Sequence, residues 1–112
     1  MQESNFRNSP KGKRELRRLS RIAHERALRA ALEKLEANFS LWRSNQLDSF
    51  GLNEAIHTYH QTEQREIWGL YQRGLESAAV SRAVADGLLH EAELSSELLA
   101  DLSPGIAYFR QL

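Results

Sequence analysis

Residues 52–71, LNEAIHTYHQTEQREIWGLY, decide how this chain is read. At 100° per residue, Leu52, Ile56, Tyr59, Glu63, Ile67 and Leu70 fall in one stripe, with His60 and Tyr71 along its edge. The stretch therefore reads as a helix, extending from about Phe50 to Gln72. Its oddity is Glu63, which sits in the middle of the apolar stripe. A carboxylate on a buried face requires a partner, because desolvating an unpaired charge is costly.

Working outward, SNQLDS (44–49) reads as a turn in which Asp48 or Ser49 caps the helix that follows. Before it, Lys13 to Arg43 contains no Gly or Pro and many good helix formers, so it reads as one long helix. Two apolar stripes run along it. Leu16, Leu19, Ala23, Ala27 and Ala30 form the first, and His24, Leu28, Ala31, Leu35 and Trp42 form the second, flanked by Leu32 and Phe39. So wide an apolar arc predicts more than one neighbour.

A short turn between two long helices predicts an antiparallel hairpin. In that register Glu63 faces Ala27, Ala30 and Ala31, with Arg26 and Arg29 beside them, and His60 comes near Glu33. Glu63, Arg26, Arg29 and His60 are therefore the expected buried polar group. Downstream, a helix over about Leu75–Asp86 stops at Gly87. Leu88–Leu94 is an apolar connector, and a brief helix starts at Ser95 or Ser96 and runs through Leu102. Ser103-Pro104 fits an N-cap with proline at the first helical position, opening a last short helix.

The expected fold is all-α: a long antiparallel helical hairpin closed by two or three shorter C-terminal helices. Residues 1–12 read as a disordered tail ended by Pro10 and Gly12, and 13–112 as a single helical domain.

Composition sets the outer limits. The chain of 112 residues is 41% hydrophobic and 27% charged, which suits one globular domain. It has no cysteine, so disulfides, thiolate metal sites and cysteine nucleophiles are excluded. No apolar run is long enough to span a membrane, and MQESNFRNSPKGKRE lacks the apolar core of a signal peptide. A cytoplasmic location is the simplest expectation.

The formal charge of zero conceals an asymmetry. Ten Lys and Arg stand against four acids in residues 1–34, and five Arg against eleven acids in the rest. Arg14, Arg17, Arg18 and Arg21 cluster on one side of the first helix. Such a face can neutralise phosphates, or it can dock against the acidic segment that holds Asp86, Glu91, Glu93, Glu97 and Asp101.

Chemical motifs are sparse. Glu54-Ala-Ile-His57 has the Glu-x-x-His spacing that di-iron carboxylate proteins place in bundle cores, and Glu25 lies upstream where ferritin-like proteins have a further glutamate. Glu54, however, falls nearly opposite the apolar stripe, so this pair is expected not to bind metal. His57 and His60 are three apart, which is not zincin spacing, and no nucleophile or phosphate loop accompanies His60 and Glu63. No cofactor and no enzymatic activity are implied.

The run WRSNQLDSFGLNE followed by AIHTYHQTEQREIW resembles a stretch in a group of short uncharacterised bacterial helical proteins. In that group an Ile-His-x-aromatic-His core precedes Arg-Glu-hydrophobic-Trp. The resemblance covers residues 42–71 and implies a bacterial helical protein without an established activity.

The expected function is a protein–protein interaction or oligomerisation module. The first helix is longer than its hairpin partner and would overhang it, so Leu16 and Leu19, with Arg14, Arg17, Arg18 and Arg21, are the expected homodimer interface. Two alternatives are a nucleic-acid-associated protein using the basic N-terminal helix and a ferritin-like metal-binding protein using Glu54 and His57.

Overall fold

The computed structural model describes residues 5–112 and is all-helical, with no strand among them. A 3-10 turn at Phe6–Asn8 leads into α1 (Pro10–Arg43). Then come α2 (Ser49–Gln61), α3 (Glu63–Leu70), α4 (Glu76–Ala85), a 3-10 turn at Glu91–Glu93, and α5 (Ser96–Arg110). The chain divides into two compact units. Residues up to His24 join Tyr71–Leu112 in the first, and Glu25–Leu70 form the second.

The first unit is built on one apolar core. Leu16, Leu19 and Ala23 of α1 pack with Val80, Ala83 and Val84 of α4, Leu89 and Leu94 of the connector, and Leu98, Leu102 and Ile106 of α5. Two polar clamps fix the register. Ser95, the N-cap of α5, accepts from the Leu98 amide. Its own amide and hydroxyl donate to the two carboxylate oxygens of Glu15 at 2.7 and 2.6 Å. Asp101 is buried in α5; it accepts from the Arg7 amide at 2.9 Å and faces the Arg7 guanidinium at 3.2 Å.

The expected disordered tail is corrected from residue 5 onward; residues 1–4 lie outside the described residues. The Arg7–Asp101 clamp holds the segment, and Ser9 organises the start of α1. The Ser9 hydroxyl donates to the Phe6 carbonyl and accepts from the Gly12 amide. Pro10 then takes the first helical position, where its missing N–H costs nothing. Gly12 is obligatory here, because a Cβ would lie 1.9 Å from the Phe6 carbonyl oxygen.

The C-terminal helix also differs from expectation. Pro104 lies inside α5 and does not open a new helix. Proline removes one backbone bond, but Leu98, Leu102 and Ile106 lie on one buried face that spans it. Beside it, a Cβ on Gly105 would sit 3.2 Å from the Ser81 hydroxyl, so the missing side chain lets α5 approach α4 closely. The stop at Gly87 is as read: with φ +80°, it is followed by Leu88 donating to the Ala83 carbonyl, a Schellman closure.

In the second unit α1 ends in the same motif with a non-glycine residue. Asn45 has φ 63°, its amide donates to the Trp42 carbonyl and that of Gln46 to the Leu41 carbonyl. Asp48 then caps α2 by accepting from the Gly51 amide. The single helix expected over 50–72 is broken at Thr62 (φ −115°, ψ −78°) into α2 and α3. The Thr62 hydroxyl donates to the Thr58 carbonyl, the side-chain competition that distorts helices at threonine. Ala31, Leu35 and Asn38 of α1 share a cleft with Gly51, Ala55 and Thr58 of α2, and the Trp42 indole donates to the Ser49 hydroxyl. The buried apolar residues of this unit are Ala31 and Leu52.

Candidate functional site

The residues singled out in the sequence separate into three places. The first is the neighbourhood of Glu63. Glu63, the first residue of α3, lines a cleft together with Ala31, Lys34 and Tyr59, but it is not buried. Its side chain is 40% exposed and pairs with Lys34 at 3.7 Å, while Arg29 is exposed and pairs with Glu25 on its own helix. The reason is the break at Thr62, which ends the continuous stripe just before Glu63. His60 is exposed too and is hydrogen-bonded through Nδ1 to Gln64. Of the expected buried polar group, Arg29 and His60 are thus exposed, and Glu63 and Arg26 are half-buried.

Glu54 and His57 lie near this surface, both exposed, in a shallow cleft with Asn53, Ile56 and His60. Among the described residues no group of three or more His, Asp and Glu could hold a metal ion.

The second place is the start of α1. Leu16 is 4% exposed and Leu19 fully buried within the single chain, covered by α4, the connector and α5. Both are core residues and cannot form the expected dimer contact. The arginines behave differently. Arg14, Arg17, Arg18 and Arg21 are exposed, and none forms an ion pair among the described residues. Three carboxylates of the acidic segment are engaged elsewhere: Asp101 by Arg7, Asp86 by Arg82, and Glu91 by Arg110. Beside this face a cleft of about 380 Å³ is lined by Arg7, Lys13, Arg17 and Arg73, with Glu76 at its edge. The Glu76 carboxylate accepts from the Gly74 amide.

Where the two segments of the first unit meet, the His24 and Tyr71 rings stack at 4.8 Å and 4°. Burial raises the Tyr71 pKa above the ordinary tyrosine value; the nearby Asp86 carboxylate raises it further and Arg82 opposes. The phenol stays neutral, and the pair cements packing.

The third place lies outside the expected site residues, although its aromatic rings are of the kind that anchor interfaces. In the Glu25–Leu70 unit, Leu32, Leu41, Trp42, Phe50, Ile56 and Trp68 are all exposed, Phe50 by 87% and Trp68 by 67%. On α1, Leu28, Leu32, Leu35, Phe39 and Trp42 follow one another at spacings of four, three, four and three. That is the heptad seam by which helices pair. On α2, Ile56 extends the same kind of surface. In the sequence the α1 residues read as an apolar stripe with its flanks, and periodicity does not say which neighbour covers it.

No family model, no curated protein and no solved structure matches this chain. No helix among the described residues is long and apolar enough to cross a membrane.

Proposed function

We propose that the protein is a non-enzymatic, cytoplasmic oligomerisation module whose Glu25–Leu70 unit pairs with a second copy. The scaffold in this reading is an antiparallel hairpin of the second half of α1 against α2, with the remaining short helices belonging to the closure of the fold. The observation that carries it is the imbalance within this unit: two buried apolar residues against six large exposed ones. Three short helical segments of this size bury too little apolar surface to be stable alone in water, and burying a large apolar side chain contributes about 1.5–3 kcal/mol.

A second copy suits the seam better than an unrelated partner. Identical chains paired about a two-fold axis present the same patch to each other. If two α1 seams pair antiparallel about Leu35, Glu25 of one copy comes within a turn of Arg43 of the other, twice over. Both lie on the same side of the seam at 100° per residue, so the charges complement each other.

Sedimentation equilibrium from low to high micromolar concentration tests this. The parent is expected to be dimeric, and Leu32→Asp with Ile56→Asp to weaken association at least about a hundredfold at unchanged helicity. A parent that remains monomeric throughout overturns the reading.

A further inference from the structure

The outward face of the first three turns of α1 is continuously cationic. Leu16, Leu19 and Ala23 point into the core. At 100° per residue Arg14 and Arg21 lie opposite them, Lys11 and Arg18 to one side, and Lys13 and Arg17 to the other. All six are exposed. The one acid within these turns, Glu15, is turned inward onto Ser95. Lys13 and Arg17 continue into the cleft that holds Arg73, which is also exposed. None of these seven cations forms an ion pair among the described residues.

We propose that this surface binds the phosphate backbone of double-stranded nucleic acid, without reading its sequence. Like charges this dense on one face are tolerated when something else gains from them, and phosphates gain through release of condensed counterions. Arginine predominates, and its planar fork suits phosphate oxygens. From Lys11 to Arg21 the helix rises about 15 Å, the axial length of about four base pairs.

Other polyanionic partners fit less well. An interfacial membrane helix needs apolar side chains to insert, and those of this segment are committed to the core. A protein interface needs an apolar or aromatic anchor at its centre, and this face has none. The same lack disfavours single strands, which bind by stacking bases on rings; His24 and Tyr71, at the end of the segment, are stacked on each other. Base readout is not expected, since nothing here places a side chain in a groove.

The proposal does not rest on self-association, because the whole surface lies in one chain. Fluorescence anisotropy with labelled duplexes of two unrelated sequences tests it, using the full chain and the Leu32→Asp, Ile56→Asp form. Equal affinity for both sequences is expected, falling about 500-fold between about 50 and about 200 mM salt if about five phosphates are neutralised. Replacing Arg14, Arg18 and Arg21 with alanine, which preserves helix propensity, should reduce the log–log salt slope by about three. Arg65→Ala, in the other unit, should leave binding unchanged. Absence of binding at about 50 mM salt overturns the proposal. So does a triple variant that binds like the parent, an Arg65→Ala loss equal to that of the triple variant, or binding to anionic vesicles but not to duplex.

Discussion

The two units use the same material, α-helix with amphipathic stripes, to opposite ends. In the unit made of the chain's two terminal segments, α1, α4, the connector and α5 enclose eleven buried residues in one cluster, and carboxylates from two helices tie its ends together. In the Glu25–Leu70 unit the apolar residues are as large, but they lie on the outside. A stripe on α1 becomes core only where another apolar surface lies across it. Near its N-terminus α4 and α5 supply that surface. Further along, the short helices α2 and α3 of the unit leave large apolar side chains of α1 exposed. A half-finished core of that kind is the physical basis on which an interaction module is proposed.

The sharpest way to break this contrast is to truncate one leucine in each unit. Leu98 is fully buried, so Leu98→Ala should cost about 2–5 kcal/mol in chemical denaturation. Leu32→Ala should cost less than about 0.5 kcal/mol under conditions where the chain is monomeric. Similar costs at the two positions would erase the distinction between a closed and an open core.

Asp101 tests the polar side of the closed unit. Its side chain is 4% exposed and satisfies both the Arg7 amide and the Arg7 guanidinium, the latter 42% exposed and partly screened. Asp101→Ala should destabilise by about 1–3 kcal/mol, chiefly by orphaning the amide. It should also free residues before Pro10, seen as faster amide exchange there. Unchanged exchange would show that the segment is held by other means.

The smallest effect is expected at Glu63. An ion pair with Lys34, the two side chains 40% and 75% exposed, is worth little in water. Thermal melting of Glu63→Ala should therefore match the parent to within about 0.5 kcal/mol. A loss of several kcal/mol would restore the buried glutamate that the sequence suggested and would deny the openness of this unit.

The sequence by itself determined what nearest neighbours along the chain determine. The all-helical class follows from periodicity, the turn at 44–49 from Asp48 and its surroundings, and the stop at Gly87 from glycine's access to positive φ. The stripes were legible as stripes. Local signals also misled where two readings were locally equal. Pro10 and Gly12 ended a tail on paper and instead started a helix, and Pro104 could equally open a helix or lie inside one. The tertiary structure decided these cases, because Arg7 meets Asp101 from 94 positions away and the buried face of α5 runs past its proline. It separated core from surface along α1 for the same reason. Leu16 and Leu32 look alike in the sequence, as apolar positions on one long helix. One is core and the other surface because burial depends on what lies across the helix, and periodicity along a chain carries no record of that.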